Sequence, residues 1–67
     1  TVHFAIDGNR MEVSSANEGS WVEVYTIGGV KVASSRVQSG HANVTLGDTP
    51  GVYVIKNGHV TFKVMKK

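Results

Sequence analysis

Apolar and polar residues alternate along most of this chain. Val2, Phe4 and Ile6 are separated by His3 and Ala5, Met11 and Val13 by Glu12, and Val22 and Val24 by Glu23. Val30 and Val32 flank Lys31; Ala42, Val44 and Leu46 skip Asn43 and Thr45; Val60, Phe62 and Val64 skip Thr61 and Lys63. A period of two puts such residues on one face of a β-strand. No window repeats at helical period. The pattern predicts strands over Val2–Ile6, Arg10–Ser14, Trp21–Ile27, Val30–Ala33 with a more polar continuation to Val37, His41–Leu46, Val52–Lys56 and His59–Met65.

Turn chemistry falls between these runs. Asp7-Gly8-Asn9, Gly28-Gly29, Gln38-Ser39-Gly40 and Asn57-Gly58 are hairpin turns, and Asn57-Gly58 is the strongest of them. Gly47 to Gly51 is a longer turn in which Pro50 presets the backbone and Gly51 lets it re-enter a sheet. Ser14 to Ser20 has no periodicity and is the place for the chain to cross between sheets. Seven short strands with turns every eight to twelve residues or so imply an all-β sandwich or barrel. The predicted core is Val22, Val24, Val32, Val44, Leu46, Tyr53, Ile55, Phe62 and Val64. Ser34-Ser35 is expected on a polar edge or near a bulge. Edge strands of such a fold invite strand addition by a partner or self-association.

Sixty-seven residues make one domain, 1–67. A chain this short buries only about 60% of its unfolded surface, so its stability is marginal without help. No cysteine is present, which removes disulfides and thiolate metal sites together. The net charge of +2 is too small to argue for nucleic acid. Lys63, Lys66 and Lys67 read first as a solubilising tail. No apolar run approaches the ~20 residues of a membrane span. Thr1-Val2-His3-Phe4 starts in strand pattern without the basic and apolar regions of a leader. The chain is therefore expected to be a fragment of a larger protein, with Lys67 its natural end.

Candidate chemistry is sparse. His3, His41 and His59 show no spacing that would converge on a metal. Asp7, Glu12, Glu23 and Asp48 include no pair that implies two carboxylates across a cleft, and Asp48 is a turn residue. Ser14, Ser15, Ser20, Ser34, Ser35 and Ser39 contain no nucleophile elbow. The expectation is a non-catalytic protein with no cofactor and no metal. Trp21 and Tyr25 share one face of their strand, flanking Glu23, and are a candidate carbohydrate or protein contact patch. The competing explanation is that they lie under the Ser14–Ser20 loop or against a preceding domain.

From Val22 onward the chain resembles the C-terminal sorting domain of Bacteroidetes proteins secreted by the type IX system. The resemblance is carried by Val22–Ile27 with Gly28-Gly29, by the return strand Val30-Lys31-Val32, by Gly40 with Ala42–Leu46, by Pro50-Gly51-Val52-Tyr53-Val54-Ile55-Lys56, and by the lysine-ended Val60–Lys67. It covers about two-thirds of the chain; the first twenty or so residues match only loosely. It implies an immunoglobulin-like antiparallel sandwich appended to a secreted cargo. It also implies recognition by an outer-membrane translocon, removal by a sortase-like cell-surface peptidase, and passage through the periplasm to the cell surface or medium. The residues it marks are Gly28, Gly29, Pro50, Gly51, Tyr53, Ile55, Lys63, Val64, Lys66 and Lys67. Each of them also has a purely structural role in a sandwich. The alternatives are an accessory glycan- or protein-binding module using Trp21 and Tyr25, and a peptidase-inhibitor-like partner working by an edge strand.

Overall fold

The computed structural model describes residues 2–15 and 17–67. The part of the expected crossover loop that falls on Ala16 lies outside the described residues. Seven strands follow in order: β1 His3–Asp7, β2 Arg10–Ser14, β3 Trp21–Thr26, β4 Lys31–Arg36, β5 His41–Thr45, β6 Gly51–Asn57 and β7 Val60–Lys66. They form two antiparallel sheets, β1-β2-β5 and β4-β3-β6-β7. The chain changes sheet after β2, after β4 and after β5. This is a small immunoglobulin-like sandwich.

The two-residue hairpins follow their glycines. Gly8 (φ 62°) and Gly58 (φ 61°) occupy the first loop position of the β1–β2 and β6–β7 hairpins. A left-handed first position matches the right-handed twist of the flanking strands. Asn57 was expected in that second turn, but it is the last paired residue of β6, opposite Val60, and fully buried. The Gln38–His41 turn needs left-handed geometry twice, at Ser39 (φ 53°) and Gly40 (φ 81°). Serine is strained there. The strain is offset by Glu18, whose two carboxylate oxygens accept the amides of Ser39 (2.8 Å) and Gly40 (3.0 Å).

The core comprises Met11, Val13, Val22, Val24, Val37, Ala42, Val44, Leu46, Tyr53, Ile55 and Val64. Phe62, placed in the core by alternation, is only partly buried; its ring stacks on Phe4, centroids 4.9 Å apart, across the side where β1 and β7 face each other. Val32 is not in the core and is 41% exposed. The reason is a bulge: Val24 pairs with Ala33 but Tyr25 pairs with Lys31, leaving Val32 as the extra residue. A bulge shifts the inward set by one position, so Ala33 and Ser35 face inward, and Val37 takes the buried place that alternation assigned to Val32.

Two polar devices hold the frame. Asn57, between the sheets, accepts from the Ser15 hydroxyl (2.8 Å) and donates to the Ser20 hydroxyl (2.8 Å) and the Trp21 carbonyl (3.0 Å). It thereby ties both ends of the crossover loop to β6. Backbone bonds from Ser15 to Gly40, Gly19 to Val37 and Val37 to Ser20 complete the attachment. Among the described residues no buried side-chain nitrogen or oxygen lacks a partner. The second device is Tyr53, whose buried ring carries its hydroxyl to the Thr49 carbonyl, 2.6 Å away and four residues upstream. This is the tyrosine-corner arrangement of immunoglobulin-like sandwiches. Gly47 lies against that hydroxyl, and a Cβ there would sit 2.7 Å from it.

Two predictions follow from these devices. Asn57→Ala removes the partner of the buried Ser15 hydroxyl and of the part-buried Ser20 hydroxyl and Trp21 carbonyl, so it should lower unfolding free energy by about 2–4 kcal/mol in urea titration. Loss below about 1 kcal/mol would mean that the loop is held by its backbone bonds alone. Gly47→Ala should cost about 1–3 kcal/mol by crowding the tyrosine hydroxyl. In a Tyr53→Phe background most of that cost should disappear. An undiminished cost in the double variant would place the constraint in the Gly47 backbone instead.

Candidate functional site

Sheet register decides which of the sequence-marked residues meet. Thr26 pairs with Tyr53 and Tyr53 with Val64, while Gly51 pairs with Lys66. The end of β3, the start of β6 and the end of β7 therefore lie side by side. Gly28-Gly29, Pro50-Gly51 and Lys66-Lys67, remote in sequence, gather at this one end of the four-stranded sheet. Gly29 has φ 93° and its amide donates to the Thr26 carbonyl, closing the β3–β4 turn. Gly51 has φ 138° and opens β6. The three most exposed large apolar residues also belong to this end: Ile27 (66%), Val30 (64%) and Met65 (67%).

The other marked residues are not surface features. Tyr53, Ile55 and Val64 are buried and account for themselves as core. Lys63 is exposed, opposite Val54 on the outer face of the sheet. The terminal lysines differ. Lys66 alternates inward, is 9% exposed, and its Nζ donates to the Asp48 carbonyl at 3.2 Å. Its stem covers apolar surface while its head reaches the rim. Lys67 lies beyond β7 and is exposed.

Trp21 and Tyr25 also share the outer face of this sheet, as expected. Trp21 is 52% exposed, and the Arg36 guanidinium carbon lies 5.3 Å from its ring centroid. Tyr25 is half-buried, with Lys56 Nζ 5.3 Å from its ring. Between them Glu23 pairs with Lys31 at 3.2 Å, the only ion pair among the described residues. Alternation along the strand was enough to find both aromatics. Their cations come from neighbouring strands and depend on register, which the linear pattern does not state.

Ser14 Oγ and His41 Nδ1 are 3.2 Å apart on the exposed face of the other sheet, where facing strand positions explain the contact. Among the described residues no group of three or more His, Asp or Glu could hold a metal ion. Among the described residues no helix is long and apolar enough to cross a membrane. Comparison with protein-family models, with curated proteins and with solved structures gives no match.

The two terminal lysines can be separated by stability. Lys66→Ala should destabilise by about 1 kcal/mol through lost stem packing and one lost hydrogen bond, whereas Lys67→Ala should leave the urea midpoint unchanged. Equal effects would show that Lys66 is as free as Lys67.

Proposed function

We propose that this chain is a non-catalytic sorting module, read by outer-membrane type IX secretion machinery at the turn end of its four-stranded sheet. One observation carries the reading. The residues marked by the resemblance converge in space at Gly28-Gly29, Pro50-Gly51 and Lys66-Lys67, although more than twenty positions separate the first pair from the next. Each has a structural reason to be there, and the antiparallel order of β3, β6 and β7 brings them to the same end. That end also exposes Ile27, Val30 and Met65, and a polar module has no packing use for them. Exposed apolar residues beside lysines suit a protein interface. In this reading the module follows a cargo domain, travels with it through the periplasm, and is removed by a sortase-like peptidase at the cell surface.

Fused to the C-terminus of a periplasm-targeted reporter in a type IX-competent cell, residues 1–67 should carry the reporter to the surface or medium. A triple variant, Ile27→Glu, Val30→Glu and Met65→Glu, alters only exposed side chains. It should keep the wild-type circular dichroism spectrum and abolish export. Retention of the reporter by the intact fusion, or export undiminished in the triple variant, would contradict the proposal.

A further inference from the structure

Charge is segregated between the two outer faces of the sandwich. Positions facing outward from β4-β3-β6-β7 include Lys31, Arg36, Lys56 and Lys63 against the single carboxylate of Glu23. The outer face of β1-β2-β5 inverts the sign, with Asp7 and Glu12 against Arg10. Glu23 is taken by Lys31. Arg36, Lys56 and Lys63 then have no carboxylate partner among the described residues. A chain whose total charge is only +2 thus gathers a net +3 on one sheet face.

The aromatics on that face repeat the same unit. Trp21 with Arg36, and Tyr25 with Lys56, each set a cation 5.3 Å from a ring. Along an extended strand the two rings are about 13 Å apart. Lys31 and Lys63 lie at opposite margins of one register row, three strand spacings or about 14 Å apart. Arg36 is oriented by its own Nε, which donates to the Gly19 carbonyl at 3.3 Å, so the terminal guanidinium nitrogens are free for an anion. Beside Tyr25 the surface dips into an open concavity of about 270 Å³, lined by Ile27, Val54 and Lys56 among others.

We propose that this face binds an acidic polysaccharide, one with carboxylates or sulfates on alternate sugars. The ligand must repeat an apolar face and an anion, as the protein does. A pyranose ring offers C–H groups to an aromatic ring, and its acid group takes the adjacent cation in a charge-assisted hydrogen bond. Spacing argues against single-stranded nucleic acid. Its phosphates recur at about 3.4 Å along a stacked strand, and this face would leave most of them unneutralised. An anionic bilayer would need a continuous apolar surface at the centre of the face, where Glu23 and Lys56 stand beside Tyr25 and Val54. An acidic peptide would bind best as an added strand at a sheet edge rather than across a face.

Calorimetric titration of the 67-residue chain with a chondroitin sulfate octasaccharide is the test. Cellohexaose, deca-glutamate and a ten-residue oligothymidylate serve as comparison ligands. The sulfated glycan should bind more tightly than all three, with affinity falling as salt is raised. Trp21→Ala and Lys56→Gln should each weaken it about tenfold, and Arg10→Gln, on the opposite face, should leave it unchanged. Absence of binding, undiminished affinity in the Trp21→Ala and Lys56→Gln variants, or tighter binding of the oligothymidylate or the peptide would overturn the proposal. Export plays no part in this assay, so its outcome is independent of the sorting reading.

Discussion

The frame depends on one buried amide. A 67-residue sandwich without disulfides must hold its two sheets face to face with little apolar surface to spare. The first crossover, between β2 and β3, has no periodic apolar residues of its own. It is fastened through Asn57, which reaches Ser15 at one end of the loop and Ser20 and Trp21 at the other. A buried polar side chain is costly unless every group is satisfied. Here the satisfaction is complete, and it requires one placement of the loop. The loop's own Glu18 then stabilises the left-handed turn at Ser39-Gly40, so a single anchored segment fixes both the β2–β3 crossing and the β4–β5 corner.

Everything of functional interest follows from the sheet that this anchoring presents. β3 and β6 are its central strands, and their register brings three separated turn and tail segments to one end. The same register draws Arg36 and Lys56 over Trp21 and Tyr25. The end and the face are adjacent but chemically distinct. The end is apolar with flanking lysines, suited to a protein surface. The face is basic and aromatic, suited to an extended anionic ligand.

Strand positions and hairpins were legible in the sequence, because alternation and glycine-bearing turns are local. The crossing at Ser14–Ser20 was legible for the same reason, and so was the Trp21–Tyr25 pair. Failures came where one residue's place depends on a distant one. Val32 keeps the alternating phase of β4, but a bulge opposite Tyr25 removes it from the core. Val37 then fills the interior from a stretch that reads as polar. Asn57 looks like a turn residue beside Gly58 and is instead a buried anchor; nothing within its own strand announces Ser15 or Ser20. Met11, Val13 and Ala42 alternate plainly, yet their burial depends on β2 pairing with β5, which local pattern does not state. Gly47 reads as flexible turn chemistry, whereas its lack of a Cβ makes room for the Tyr53 hydroxyl.

The central claim is that the anchored crossover belongs to the same cooperative unit as the four-stranded sheet. Native-state amide hydrogen exchange tests it directly. The amides of Ser15, Gly19 and Val37, which bond to Gly40, Val37 and Ser20, should exchange only through global unfolding. Their opening free energies should equal those of the β3–β6 ladder and fall with it as urea is added. Fast, urea-independent exchange of these three amides beside a protected ladder would contradict the account, because the crossover would then open on its own while the sheet stays folded.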